Sequence, residues 1–362
     1  MGPGPSDVSP RVLTAQARQT IGHLDPQFVD LMDEIKALLR YAFRTENDVT
    51  FPVSAPGSAG METCVVNIVE PGDKVIVCIN GVFGGRMKEN IERAGGVPIA
   101  VEDDWGKPVS VSKLEDVLRE NPDAVAVGFV HSETSTGVRS DAETLCSLAR
   151  EHACLTIVDA VTTLGGIPLE VDAWGIDAIY SGSQKCLSAP PGLSPVSFSE
   201  KALDKIRNRK TKVQSWFLDL NLVLGYWDGD GGRAYHHTAP VNAMYGLHES
   251  LVILHEEGLE ASWERHQRLH QQLHQGLGKL GIEYLVEPPY RLPQLNSVLI
   301  PDHLQSSEAD IRKKLLNDHQ LEIGAGLGAL AGKVWRIGLM GHGASEANVS
   351  KCLEALETVM AQ

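Results

Sequence analysis

Between Lys74 and Phe198, short apolar runs alternate with helical patterns: KVIVCI, a helix over Gly85–Ala94, VPIAV, a helix over Val111–Glu120, AVAVGFV, a helix over Ala142–His152, LTIVDA and DAIYSGS. Continuous Val, Ile and Ala runs mark strands covered on both faces, and the helices between them serve as crossovers. This βαβ order restricts the chain to an α/β fold with a mostly parallel central sheet. Ligands of such sheets gather beyond the carboxyl ends of the strands. Three polar clusters fall at those ends, HSETSTG, DAVTT and SGSQK, and one pocket can hold all three.

At 362 residues the chain exceeds one simple core, so two unequal domains are expected. After YHHTAPVNAMYG a long helical stretch runs from about Val241 to Leu280. The remainder reads as a smaller α+β unit ending in a helix over Glu346–Met360. The expected boundary lies near Gly258, giving a large domain at 1–257 with a short N-terminal arm and a small C-terminal domain at 258–362.

A net charge of −15, with no long Lys/Arg cluster, argues against a nucleic-acid partner. The six cysteines lie far apart, with no CxxC and no histidine spacing suited to zinc. Buried free thiols in a reducing compartment and no metal site are therefore expected. No signal peptide precedes the first segment, and no apolar run approaches the roughly 20 residues of a membrane span. The expectation is a cytoplasmic protein without a membrane partner.

Lys185 stands among Gly, Ser, Ala and Pro, immediately after an apolar strand-like run. Small neighbours leave room for a bulky ligand, and an amine kept from water loses proton affinity and becomes a nucleophile toward carbonyls. Asp159 follows the apolar run Leu155–Val158, as either a helix cap or a charged ligand-binding group. It stands one strand-like segment before Lys185, so both can face one cavity. Lysine plus aspartate is the arrangement pyridoxal 5'-phosphate requires. SAPGSAGMET, Ser54 to Thr63, supplies a Gly-rich turn entering a helix, suited either to a phosphate or to a plain helix start. Phe83, in NGVFGG, is an aromatic that could stack on a ring or pack in the core.

These stretches, with GPGPSDVSPRVL, EPGDKVIV, ETSTGV, IVDAVTTLGG, YSGSQKCLSAPPG, YHHTAPV and GKVWRIGLMG, run through nearly the whole chain in one order. In that order the chain resembles the class V, fold-type I pyridoxal-phosphate aminotransferases, nearest to the alanine–glyoxylate and serine–pyruvate (serine–glyoxylate) aminotransferase family. The resemblance implies Lys185 as Schiff-base lysine and proton carrier and Asp159 as partner of the pyridinium nitrogen. It also implies Val161 and Phe83 on the two ring faces, Thr134 and Gln184 on cofactor oxygens, and Gly57 and Ser58 on the phosphate. Tyr235 and Thr238 would reach the phosphate from the second subunit of a homodimer with composite sites. Arg336 would clamp the substrate carboxylate, and the backbone near Gly4 would narrow the substrate pocket. The implied reaction is transamination between a small amino acid, alanine or serine, and a 2-oxo acid, glyoxylate or pyruvate.

Two departures from the family pattern stand out. Ala55 and Pro56 occupy positions usually held by Gly and Ser, and proline offers no N–H to a phosphate. The chain also opens directly at MGPGP, without the leader that commonly wraps the partner subunit. His266, His270 and His274 recur every four residues among charged and amide side chains, so a solvated helix face is expected there rather than a metal site. GAGLGA, Gly324 to Ala329, reads as a turn, because the strand-like VWRIGLM follows too soon for a dinucleotide-binding helix. Two rival functions remain. A desulfurase-type lyase needs a mobile cysteine, and only Cys352, in the final helix, follows Cys186. A non-catalytic cofactor-binding protein would need no substrate clamp such as Arg336.

Overall fold

The computed structural model describes residues 1–227 and 233–361. Its large sheet contains β1 (Val49–Val53), β2 (Lys74–Ile79), β3 (Val97–Glu102), β4 (Ala126–Val130), β7 (Leu155–Asp159), β8 (Ala178–Tyr180) and β9 (Ser194–Phe198), in the order β1-β9-β8-β7-β4-β2-β3. A two-stranded ribbon of β5 (Ser132–Glu133) and β6 (Val138–Arg139) follows β4. The pairs joining β3, β2, β4, β7 and β8 are parallel, whereas β9 is antiparallel to both β8 and β1.

The parallel core agrees with the continuous apolar runs: β4 and β7 are buried along their whole length. Each fully buried Val, Ile or Phe there contributes roughly 1.5–3 kcal/mol, so these strand ends are held firmly. Register does the rest. Val130 is level with Asp159, and Asp159 with Tyr180, so the segments leaving β4, β7 and β8 emerge side by side.

β1 and β9 lie outside the strand-like runs read from the sequence, and each contains a proline. Pro52 lies opposite Pro195 on the edge strand β1, and Pro195 O accepts from Ser181 N, so the Pro195 nitrogen faces the β8 side and neither proline removes a β1–β9 hydrogen bond. The helix expected from Gly85 begins at Val82 instead. Its first amides are capped by the Glu133 carboxylate, which accepts from Phe83 N and Gly84 N.

The stretch Val241–Leu280 is two helices, Val241–Glu257 and Leu259–Lys279, broken at Gly258. Gly258 has φ +85°, a conformation that favours glycine, and open space where a Cβ would stand. Beyond it, β10 (Leu295–Leu299), β11 (Gly324–Ala325) and β12 (Val334–Gly338) form an antiparallel sheet with β12 central. This sheet packs with the helices Leu259–Lys279, Glu308–His319 and Glu346–Met360. The buried apolar residues divide accordingly: one cluster ends at Leu259 and a second begins at Leu269. The N-terminal arm joins the second, since Met1 packs on it and its carbonyl accepts from Gly338 N. GAGLGA enters β11 and then a short 3₁₀ turn, Gly328–Leu330.

The histidine row is not a solvated face. His266 and His270 are buried and only His274 is exposed. His266 Nδ1 donates to the Ser262 carbonyl, and its Nε2 accepts from Gly341 N, a neutral tautomer that ties the helix to the turn after β12. Burial pushes its pKa down to about 4. The charged and amide side chains of this stretch occupy the other faces of the same helix. Among the described residues no cluster of His, Cys, Asp and Glu could hold a metal, and no helix is long and apolar enough to cross a membrane.

Candidate active site

Lys185 follows β8 in a loop held on both sides. Ser181 N donates to Pro195 O, Ser183 N to Leu193 O, and Ser183 Oγ to Pro190 O. The N-terminal arm closes over this loop: Ser6 N donates to Gln184 O at 2.8 Å and Ser6 Oγ to Lys185 O at 2.7 Å. Lys185 is 8% exposed, and its Nζ donates to the Pro3 carbonyl. Burial, and then the positive charge of Arg336, bring the amine's pKa down to about 8. A neutral, nucleophilic amine is thus accessible near physiological pH. Gly4 has φ +101°, and a Cβ there would lie 2.5 Å from Lys185 Nζ, so only glycine lets the arm pass so close.

Asp159, at the end of β7, is 3% exposed. Its Oδ1 accepts from Val161 N and its Oδ2 from Tyr180 Oη, each at 2.8 Å. Both oxygens are therefore oriented, and Asp159 caps no helix. Burial raises its pKa to about 7, with the negative charge of Glu133 adding to the rise and Lys185 opposing it. An anion braced by two donors can serve as a buried counter-charge to a cationic ring.

Arg336 comes from β12, opposite Ser297 of β10 and Gly324 of β11. It is 7% exposed. Its Nε donates to Ala325 O at 2.8 Å and its Nη1 to Thr134 O at 3.2 Å, which fixes the guanidinium plane. No salt bridge joins it to a carboxylate among the described residues. Burying a guanidinium without an anion is costly, so the arrangement suits an incoming carboxylate, which a fixed guanidinium can take in two parallel bonds.

The remaining expected residues gather around these three. Helix Gly57–Ile68 starts beside them: a Cβ on Gly57 would stand 3.5 Å from Val161 Cγ2 and 3.6 Å from the Ser181 carbonyl. The first-turn amides of Gly57 and Ser58 have no intrahelical acceptors, Pro56 provides no side-chain cap, and Ser58 is exposed. Thr134 Oγ1 meets Thr162 Oγ1 at 2.5 Å. Gln184 Oε1 is buried with no partner, a polar end that a ligand oxygen or hydroxyl would satisfy after an amide flip or directly. Phe83 lies in the first turn of its helix and is joined to the site through Glu133, the neighbour of Thr134. A buried amine, a braced buried carboxylate, free helix-start amides and an orphan amide oxygen together fit pyridoxal 5'-phosphate.

Tyr235 and Thr238 lie apart from Lys185 and Asp159 in hydrogen-bonding terms. Both are exposed, Tyr235 at 66%, and their hydroxyls meet each other at 3.5 Å. Four participants escaped the reading of the sequence: Glu133, Tyr180, Ser6 and the Pro3 carbonyl. Glu133 carried a faint signal, an acidic residue within a strand-end cluster that lacks basic neighbours. It is fully buried and accepts from Phe83 N, Gly84 N, Ser135 N and Ser135 Oγ.

Comparison with known proteins identifies the family. The family described as Aminotransferase class-V matches residues 11–340. The alanine–glyoxylate aminotransferase of Oryctolagus cuniculus is 41% identical over 362 residues, covering 99% of this chain and 92% of that one. The (S)-ureidoglycine–glyoxylate transaminase of Bacillus subtilis (strain 168) is 35% identical, covering 99% of this chain and 90% of its own. Among solved structures, an alanine–glyoxylate aminotransferase from Nostoc sp. superposes with a TM-score of 0.96 at 45% identity, covering 99% of this chain and 94% of that chain.

Proposed function

Because the chain belongs to the class V aminotransferases, we propose that it moves the amino group of a small amino acid, alanine or serine, to glyoxylate or pyruvate. Enzymes of this family are pyridoxal-phosphate-dependent, and this chain is such an enzyme. The observation that carries the substrate reading is the pair Lys185 and Arg336, a buried amine and a buried guanidinium without a carboxylate salt bridge among the described residues. Together they specify an amino or oxo acid bound at its carboxylate beside a proton-transferring amine.

Each residue has a task in that reading. The bound cofactor supplies the electron sink for carbanion chemistry. Arg336 holds the substrate carboxylate in a plane set by Ala325 O and Thr134 O. Lys185 Nζ, in its neutral form, takes the proton from the substrate α-carbon and later returns a proton. Asp159 would hold positive charge on the ring nitrogen, Val161 and Phe83 would flank the ring, and Thr134 and Gln184 would bond cofactor oxygens. Gly57 and Ser58 offer amides to the phosphate. Residues Pro3–Ser6 cover Lys185 and limit the space for the substrate side chain at Gly4.

The same geometry argues for a monocarboxylic donor. A second substrate carboxylate needs a second cation, and Arg86, the nearest by sequence, is exposed with its guanidinium carbon 4.9 Å from the Phe83 ring centre. The exposed Tyr235 and Thr238 suit a homodimer in which each reaches the partner's phosphate. The domain division at 257/258 follows the break at Gly258. Six free buried cysteines suit a reducing cytoplasm, and they leave no thiol free to reach a substrate sulfur as a desulfurase requires.

Steady-state rates for the cofactor-loaded protein, measured over a panel of donors with glyoxylate or pyruvate, test this reading. Alanine or serine is expected to exceed glutamate in kcat/KM by at least roughly tenfold, about 1.4 kcal/mol of discrimination. Glutamate or phosphoserine as best donor would overturn the substrate class. Absence of turnover with every pair would overturn transamination itself.

A further inference from the structure

The phenol of Tyr180 is buried at the end of β8, level with Asp159 in the parallel register. Packing alone does not explain a hydroxyl there, since phenylalanine fills the same space without a polar atom to satisfy. The hydroxyl donates to Asp159 Oδ2 at 2.8 Å. Helix Gly57–Ile68 packs close to this strand end: a Cβ on Gly60 would stand 1.9 Å from Ser194 Oγ and 3.0 Å from Tyr180 Cβ.

We propose that Tyr180 is a positioning residue, whose hydroxyl keeps Asp159 ionised and in one orientation so that a carboxylate, not a carboxylic acid, faces the ring nitrogen of the bound cofactor. This rests on the pyridoxal-phosphate reading of the site. Asp159 Oδ1 is already held by Val161 N, so the Tyr180 bond is what fixes the second oxygen.

The groups around Asp159 are otherwise poised against its charge. Burial and the Glu133 carboxylate after β4 favour the acid, and the Cys64 thiol from helix Gly57–Ile68 is itself pushed toward its neutral form. Lys185 favours the carboxylate, but its proton is lost when its amine becomes the nucleophile. The Tyr180 hydroxyl and the Val161 amide then remain as the protein groups stabilising the anion. A hydrogen bond to a charged group is worth roughly ten- to a hundredfold in the acid-to-carboxylate ratio. Removing it would let the proton shared between Asp159 and the ring nitrogen settle on Asp159.

The test is Tyr180→Phe, reconstituted with pyridoxal 5'-phosphate carrying ¹⁵N in the ring, alongside the unaltered protein. The ring ¹⁵N resonance of the variant is expected to move toward the value of an unprotonated pyridine. Its kcat is expected to fall roughly tenfold with KM for alanine little changed. In an Asp159→Asn background the same substitution should add no further shift. An unchanged ¹⁵N shift in a folded variant would overturn the proposal. If Tyr180→Phe does not fold, 4-aminophenylalanine at position 180 keeps the ring and weakens the donor, and an unchanged ring resonance there also overturns it. Failure of the unaltered protein to bind the cofactor would instead overturn the reading on which the proposal rests.

Discussion

The side-chain amine of Lys185 donates a hydrogen bond to the backbone carbonyl of Pro3, a residue whose neighbours also touch the small C-terminal sheet. Pro3 itself lies against Gly324 of β11, and Met1 O accepts from Gly338 N at the end of β12. The arm therefore bridges the lysine loop and the sheet that carries Arg336.

Gly4→Ala tests that bridge. Its new Cβ would lie 2.5 Å from Lys185 Nζ and 2.7 Å from Cδ, at a φ of +101° that L-residues rarely adopt. Backbone strain of this kind costs of order 1–3 kcal/mol. The expected outcome is a loss of cofactor occupancy and at least a roughly tenfold fall in kcat/KM, measured by absorbance titration and steady-state rates. Occupancy and rates equal to those of the unaltered protein would mean that the arm is not packed on Lys185.

The amine's acidity gives a second prediction. With its pKa lowered to about 8, Lys185 becomes neutral as pH rises through that value, well below the ordinary lysine value of 10.5. The rate of cofactor attachment to the free protein should therefore rise with pH and level off above about 8. Arg336→Gln removes a positive charge that lowers this pKa, so the midpoint should move up and attachment at pH 7 should slow. A midpoint unmoved in Arg336→Gln, or one near 10.5, would contradict the electrostatic account.

Asp159→Asn separates binding from turnover. The amide keeps the site's shape but not its charge, and losing one preorganised electrostatic contact costs roughly 10²–10³ in kcat. The cofactor-free protein supplies an independent reading. Asp159 has a folded pKa raised to about 7 from 3.8, so its contribution to stability is present at low pH and is lost as pH rises through about 7. Asp159→Asn should therefore melt higher than the unaltered protein at pH 8, with the advantage shrinking toward pH 5. A pH-independent difference would refute the assigned shift.

What the sequence disclosed and what it hid follow from the range of the interactions. Lys185 and Asp159 were legible because strand ends are local features: an apolar run, then a polar residue among small ones. Arg336 was legible from its apolar neighbours Trp335 and Ile337. Glu133 and Tyr180 were hidden because their roles depend on partners about 50 and 21 positions away, Phe83 and Asp159, brought close only by sheet register. The same cause moved the start of the Val82–Arg93 helix, whose cap comes from Glu133 rather than from a local side chain.

Composite sites are tested by subunit exchange. Thr238 is exposed, and among the described residues its hydroxyl hydrogen-bonds only with Tyr235, so its expected target lies across a dimer interface. Mixing Thr238→Ala with Lys185→Ala, each inactive or weak alone, should create hybrid dimers with one intact site in two, restoring a measurable fraction of activity. No recovery after verified exchange would place Thr238 in its own subunit's site or in none.

Lys185 is expected to bond covalently to the cofactor, and borohydride reduction of the loaded protein shows whether it does. The hydride makes the link permanent, and peptide mass mapping then locates it. One modified peptide is expected, spanning IYSGSQKCLSAPPG with the added mass on Lys185, and no fixed cofactor in Lys185→Ala. A stoichiometric label on any other lysine, or an unlabelled Lys185 in fully loaded protein, would contradict it.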